Sequence, residues 1–240
     1  MAALGLSLYL AFALISFPAR VAVDWFAPDQ VALTGVEGTL WNGSAVLGAI
    51  AGIPVSELTW DLKPTSLLLG RLGADVSTRI ADGFVEGSVM AGGERVVLTE
   101  LRGTMRLSSF ASLLPLGGVD GLVTWQMDRL ELTEQWPVRA IGRLRISRLS
   151  AVPFGVDNLG DYQLDFADPA AGDGIAGVLK DTGGPLTVSG GISLAPNRSY
   201  SINGKVTARQ GASRALINGL NLLGSPSADG SRDFGFSGSL

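Results

Sequence analysis

The feature of this sequence that most constrains its fold is an alternation of apolar and polar residues with a period of two. In residues 55–62 the apolar Leu58, Trp60 and Leu62 alternate with charged or hydroxyl side chains. Successive side chains of a β-strand point to opposite faces, so this period predicts a strand with one face on a core and one in water.

The same pattern returns along most of the chain. Lys63-Pro64 ends the first run, because proline has no N–H to give to a β-ladder, and the alternation resumes at Gly73. Further strands are predicted at residues 84–90, 95–107, 119–132, 138–146, 185–194, 199–209 and 234–240. Short leucine-rich helices between strands, here called the leucine segments, are predicted at residues 65–69, 108–114 and 213–223.

Composition supports a mainly β fold. Thirty-three glycines and 17% charged residues among 240 indicate many tight turns, and 46% apolar residues suffice for a core. Consecutive strands joined by glycine turns pair most simply as antiparallel neighbours. A sheet of about a dozen strands does not stay flat. We therefore expect a large antiparallel β-sheet, curved or folded over its apolar face, with a few short capping helices.

The N-terminal stretch is apolar on every side. Residues 2–19 contain no charge, and about 18 to 20 such residues match the thickness of a bilayer core. A buried helix of a soluble protein is the weaker alternative, because no polar residue marks a face to expose. We expect a transmembrane anchor over residues 1–23 and an exported all-β domain over residues 24–240, with a weak internal boundary near residues 168–175.

A cleaved signal peptide is the competing interpretation of this stretch. Signal peptidase prefers small residues at positions −3 and −1 of the cut. Cutting after Ala19 places Phe17 at −3, and cutting after Ala22 places Arg20 there. The sequence therefore favours an uncleaved anchor.

Several classes of chemistry lack their residues. The chain has no histidine and no cysteine, which excludes histidine triads, thiol nucleophiles and the usual zinc sites. A net charge of −4 gives no basic footprint for nucleic acid. Asp168, Asp173 and Asp181 lie in glycine-rich loops but match no calcium loop, and are interpreted as turn residues. We expect no enzyme, no catalytic residue, no cofactor and no metal site.

Three arginines form a candidate face for an anionic partner. Arg139, Arg143 and Arg145 alternate with apolar residues in the strand at 138–146, so they point outward together. Anionic proteins or lipid head groups would fit such a face. The commoner explanation is a ladder of exposed ion pairs, for which neighbouring strands supply Asp128, Glu131 and Asp165.

The last predicted strand, residues 234–240, is a candidate docking edge. It carries Phe234, Phe236 and Leu240 in a terminal run of alternating residues. An edge strand has unpaired N–H and C=O groups that a partner strand can join. We therefore expect this strand to bind a partner protein if it lies at the edge of the sheet.

Particular segments resemble protein N of the bacterial type II secretion system. They are GVEGTLWNGSA at 35–45, WDLKPTSLLLGRLGADV at 60–76, LGDYQLD at 159–165, GGPLTVSGGISL at 183–194 and ALINGLNLLGSPSADGSRDFGFSGSL from 215. The resemblance spans nearly the whole chain in one order. It implies an accessory component of the machine that moves folded proteins from the periplasm across the outer membrane of Gram-negative bacteria. It also implies a single-pass inner-membrane protein with its bulk in the periplasm, and no catalytic residues.

Two functions remain open. In the first, the chain binds other envelope proteins of the secretion system, on the inner-membrane platform or the secretin side, and touches inner-membrane lipid through its N-terminal helix. In the second, it is a periplasmic lipid-binding or lipid-transfer protein, with an apolar groove like that of the AsmA-like proteins that such strand repeats also resemble. A continuous exposed apolar stripe on the sheet would favour lipid.

Overall fold

The computed structural model describes residues 2–50, 52–110, 118–152, 155–168 and 174–239. The chain divides into two compact units, Met1–Gly93 and Glu94–Leu240, called the first and the second unit. Each unit is an antiparallel meander in which every strand pairs with its neighbours in sequence.

The described residues of the first unit form three helices and five strands. The helices are α1 (Ala2–Ile15), α2 (Ala19–Phe26) and α3 (Pro64–Leu67). The strands are β1 (Val31–Gly38), β2 (Asn42–Ile50), β3 (Ile53–Leu62), β4 (Leu72–Ile80) and β5 (Gly83–Gly92), paired in that order.

In the second unit, the part of the chain that the structure describes forms eight strands, a 3-10 turn at Leu107–Phe110 and helix α4 (Arg214–Asn221). The strands are β6 (Arg95–Arg106), β7 (Asp120–Thr133), β8 (Trp136–Ala151), β9 (Val156–Phe166), β10 (Ile175–Gly183), β11 (Leu186–Leu194), β12 (Ser199–Ala208) and β13 (Arg232–Ser239). They also pair in order.

The predicted mainly β, antiparallel fold is confirmed. The strand predictions agree with the structure to within a few residues, except that β8 is longer than residues 138–146. The curvature of the sheet stays a prediction. The internal boundary near residues 168–175 also stays a prediction, and residues 169–173 lie outside the described part of the chain.

The N-terminal apolar stretch is divided between α1 and α2. Pro18 separates them because it lacks an N–H and holds Phe17 away from helical geometry. Ala19 and Ala22 of α2 are buried, whereas five large side chains of α1 are exposed, those of Leu8, Tyr9, Phe12, Leu14 and Ile15. Within the described residues, no helix combines the length and the apolar character needed to cross a membrane. The predicted transmembrane placement is therefore unconfirmed.

Strand β3 confirms the alternation from which its structure was predicted. Leu58 is buried and Trp60 half-buried, and the indole N–H of Trp60 donates to the carbonyl oxygen of Leu40 at 3.0 Å. A β-bulge at Glu57, where φ is 49°, shifts the register and returns Val55 to the buried face. The sequence pattern alone did not show this bulge.

Aromatic rings cover glycines on the neighbouring strand at four places. The pairs are Trp60–Gly43, Phe166–Gly177, Tyr200–Gly238 and Phe234–Gly204, and each is in register across its ladder. A Cβ at Gly43 would lie 2.4 Å from the Trp60 ring, and one at Gly204 would lie 2.6 Å from the Phe234 ring. These glycines are needed because the ring occupies the space of a side chain.

Helix α4 covers part of the apolar face of the second unit. Leu216 and Leu220, four residues apart, pack into a buried cluster with Leu186, Val188 and Val206. The hydroxyl of Ser213 caps the helix by accepting the N–H of Leu216 at 3.2 Å. The capping role predicted for this leucine segment is thus confirmed, but other leucines perform it.

The leucine runs that suggested capping are themselves on the surface. Leu68 is 88% exposed and Leu222 is 89% exposed, and Leu69 is also exposed. The prediction that these leucines cap the sheet is wrong. A helix of one or two turns has no periodicity that fixes which of its sides faces the core. Leu113 and Leu114 of the middle segment lie outside the described residues.

Replacing Trp60 with alanine should destabilise the protein by about 2 kcal/mol, less than the 3–5 kcal/mol typical of a fully buried tryptophan, because the ring is half-buried. Chemical denaturation of the detergent-solubilised chain, followed by circular dichroism, measures this. Trp25→Ala is the matched control, since Trp25 is 71% exposed, and it should change stability by less than about 0.5 kcal/mol. Equal midpoints for the two variants would contradict the packing role of Trp60.

Candidate interaction surfaces

Strand β13 lies at an edge of the second unit. In the described part of the chain it pairs with β12 alone. Phe234 is half-buried against the α4 cluster, whereas Phe236 is 60% exposed. Leu240 lies outside the described residues. The backbone groups on the free side of β13 are thus available for another strand.

The two faces of this edge differ in chemistry. Phe236 stands opposite Ile202 on the apolar face, and Ser237 stands opposite Ser201 on the other face. The hydroxyls of Ser201 and Ser193 lie 2.9 Å apart, and serines line a shallow depression of about 430 Å³ there. After Asp233 the strand carries no charge, and charge is one of the devices that keep foreign strands off an edge.

The face that carries Arg139, Arg143 and Arg145, here called the arginine face, contains a ladder of ion pairs. Arg139 holds Asp168 with two hydrogen bonds of 2.9 and 2.6 Å and lies 3.5 Å from Glu131. The bond from Arg139 lowers the pKa of Asp168 below its usual value, and the same contact raises the pKa of Arg139. Asp168 was not predicted as a partner of Arg139.

The other two arginines meet β9. Arg143 Nε lies 2.8 Å from Asp165, and Lys180 Nζ reaches the same carboxylate at 2.7 Å. Arg145 instead donates to the amide oxygen of Gln163 at 3.2 Å. The ion-pair interpretation is confirmed for Glu131 and Asp165, while Asp128 has no ion pair among the described residues. Binding of an anionic partner by this face stays a prediction.

A further cross-link, between the half-buried Asp181 and the exposed Arg209, was missed by sequence reasoning. Asp181 accepts the N–H of Val188 at 2.8 Å with one oxygen and pairs with Arg209 through the other. Arg209 also donates to the carbonyl of Gly184 at 2.8 Å. The charge of Asp181 also acts on Tyr162. Burial of the Tyr162 hydroxyl, followed by the charge of Asp181, raises its pKa to about 12. Asp181 therefore links β10 to β11 and to the residue that follows β12.

The described residues contain no group of acidic side chains arranged to hold a metal ion. Asp168 and Asp181, two of the loop aspartates considered for calcium, each bind an arginine, and Asp173 lies outside the described residues. The absence of catalytic, cofactor and metal sites stays a prediction.

Asp165→Asn should lower stability at neutral pH and weaken its loss in acid. The bond from Arg143, followed by those from Lys180 and Gln163, lowers the pKa of Asp165 in the folded state. Since the unfolded pKa is about 3.9, the ionised form stabilises the fold above that pH, and this contribution is lost as the pH falls below about 4. Denaturation midpoints at neutral and acidic pH measure the effect.

Asp157→Asn is the matched control on the same strand, because Asp157 is exposed and has no partner among the described residues. It should leave the acid dependence unchanged. The same loss of acid dependence in both variants would show that the ladder around Asp165 does not stabilise the fold.

Comparison with known proteins confirms the resemblance. The family model described as type II secretion system (T2SS), protein N, matches residues 29–235. The type II secretion system protein N of Aeromonas hydrophila is 29% identical over 240 residues, which cover 95% of this chain and 93% of that protein.

The protein of the same name from Vibrio cholerae is 43% identical over 63 residues, covering 26% of this chain and 25% of that protein. No solved structure matches the chain. Because the family model covers most of the chain and includes every strand from β1 to β12, the chain belongs to the family of type II secretion system protein N and is a component of that secretion system.

Proposed function

We propose that this chain is an accessory, non-enzymatic secretion component that binds other envelope proteins of the system by strand addition at β13. In this proposal the N-terminal segment holds the chain in the inner membrane, and both β units lie in the periplasm. The partners are proteins of the inner-membrane platform or of the secretin side. The observation that carries the proposal is the free edge of β13, which has no charge after Asp233, beside the exposed Phe236.

The exposure of α1 supports attachment to the membrane. Leu8, Phe12 and Ile15 are each about two-thirds exposed or more, and helix α1 carries no charged residue. Several large apolar side chains on an isolated helix are costly in water, at about 25 cal/mol for each Å² left exposed. Insertion of α1 into the hydrocarbon core of a membrane removes that cost.

The chemistry of β13 supports docking of an extended segment. A strand added at this edge continues the ladder through its main chain, whereas its side chains alternate between the two faces. On one face it would meet Phe236, and on the other it would meet Ser237 and Ser239. The fitting partner segment therefore alternates apolar residues with small polar ones.

The lipid-handling function stays the alternative. The apolar side of the second unit contains two buried clusters, one around α4 and one formed by Met127, Ala140 and Ile175 with their neighbours. Phe236 extends this surface to the edge of the unit. Crosslinking from β13 in the cell distinguishes the two functions, because a docking edge captures protein and a lipid groove captures phospholipid.

Deleting residues 2–15 should release a folded, β-rich protein from the membrane, because this removes the exposed helix α1. The deletion stops before α2, whose Ala19 and Ala22 are buried. Fractionation after an alkaline wash and circular dichroism of the released protein measure the outcome. Protein that stays in the washed membrane would contradict attachment through α1, and loss of the strand signal would show that α1 is needed for folding.

Phe236→Glu should abolish capture of partners by β13 without unfolding the chain, because it places a charge on the exposed edge. A photo-crosslinking residue at Ser237 or Ser239 reports the partner in living cells. Phe84→Glu on β5 is the matched control, since Phe84 is also an exposed strand phenylalanine, and it should leave the crosslinks intact.

Capture of secretion-system envelope proteins that is lost in Phe236→Glu supports docking at the edge. Capture of phospholipid alone, together with normal secretion in a strain lacking the chain, would overturn it in favour of lipid handling.

A further inference from the structure

The connection between β3 and β4 exposes leucines without covering any core. Residues 67–69 are three consecutive leucines, of which Leu68 is 88% and Leu69 77% exposed. Arg71 follows them, is exposed, and forms no ion pair in the part of the chain that the structure describes. The guanidinium of Arg71 donates to the Sδ of Met90 at 4.0 Å. This combination of adjacent apolar side chains and an arginine without an ion pair is here called the leucine turn.

Helix α1 joins the first unit at the turn between β1 and β2. The carbonyl of Phe17 accepts the N–H of Leu40 at 2.8 Å, and Pro18 forms a β-bridge with Thr39. The indole N–H of Trp41 donates to the carbonyl of Leu14 at 2.8 Å, which satisfies a carbonyl at the end of α1. The end of α1 is thus fixed to this turn by several bonds rather than by a loose linker.

The leucine turn lies at the same end of the sheet. Leu62, the last residue of β3, donates its N–H to the carbonyl of Trp41 at 2.6 Å, and Lys63 donates to Gly73 at 2.8 Å. The leucine turn begins at Leu67, the last residue of the short helix α3 that follows Lys63. The β1–β2 turn, the end of α1 and the leucine turn therefore share one end of the first unit.

Resting on the proposed membrane attachment of α1, we propose that the leucine turn is a second membrane contact, which inserts Leu68 and Leu69 at the headgroup boundary of a phospholipid bilayer. Arg71 is positioned to meet anionic phosphates, as basic residues beside an inserted apolar segment do. A single helix leaves the first unit free to rotate and tilt on the membrane. A second contact at the same end holds the unit in one orientation.

The aromatic residues next to α1 support this placement. Trp25 and Phe26 are each more than 70% exposed, and the rings of Trp25 and Phe17 lie 6.2 Å apart. Aromatic side chains of this kind concentrate at the membrane–water interface. They give the end of α1 the composition of an interfacial zone.

Spin labelling of the full chain in vesicles of phosphatidylethanolamine and phosphatidylglycerol tests the proposal. The chain has no cysteine, so Leu68→Cys, Leu8→Cys and Ala81→Cys each give a single label. Ala81 follows the opposite end of β4, roughly 30 Å away along a strand of this length, and is the matched aqueous control. Power saturation with oxygen and a water-soluble nickel chelate gives the depth of each label.

We expect the label at 8 in hydrocarbon, the label at 68 about 5–10 Å below the headgroups, and the label at 81 in water. A label at 68 as accessible to nickel as that at 81, with 8 in hydrocarbon, would overturn the second contact but not the anchor. A label at 8 in water would overturn the anchor as well. A label at 68 shielded from both reagents would show that the leucine turn contacts protein instead of lipid. A label at 81 as deep as that at 68 would show that the membrane does not bind one end of the first unit in preference to the other.

Discussion

Hydrogen bonding between consecutive strands is the interaction on which each unit depends. Every strand described within a unit pairs with its neighbours in sequence, so the position of each side chain is set by the register of the ladder before it. A slip of one residue would move a strand's whole apolar set to the opposite face. The fold therefore requires devices that fix register locally.

Aromatic residues over glycines are one such device. A ring that occupies the space above a glycine on the next strand fits at one register, because the neighbouring positions carry side chains. Trp60 over Gly43 does this in the first unit. In the second unit, Tyr200 of β12 covers Gly238 of β13, and Phe234 of β13 covers Gly204 of β12. Asp181, bound to Val188 and Arg209, adds a polar device with the same effect.

Much of this fold is predictable from the sequence because its determinants are local. Alternation around Trp60 predicts both the strand and its buried face, and the outward arginines predict the ion pair with Asp165. The bulge at Glu57 was not predictable, since it depends on a positive φ that the pattern does not encode. The pairing of Asp181 with Arg209 was missed because 28 residues separate them in sequence.

The candidate surfaces were predictable in part, and for the same reason. The alternation in residues 234–240 predicts a strand, but no local pattern shows that Phe234 is covered while Phe236 is exposed. The direction of the leucine segments was equally hidden: Leu216 points into a core and Leu68 points away from one. A helix of one turn takes its orientation from the elements on either side of it, which composition does not reveal.

Sequential pairing also makes the ladder of the first unit nearly one-dimensional in its energetics, whereas in the second unit buried clusters also join strands that do not pair. In arrays where each element contacts only its neighbours, stability is close to a sum of element and interface contributions. A strand pair could then be gained or lost without rearranging the ladders on either side. Strands that share a single ladder, such as β13, open at the lowest free energy, and exchange of their amide hydrogens would be the fastest in the sheet.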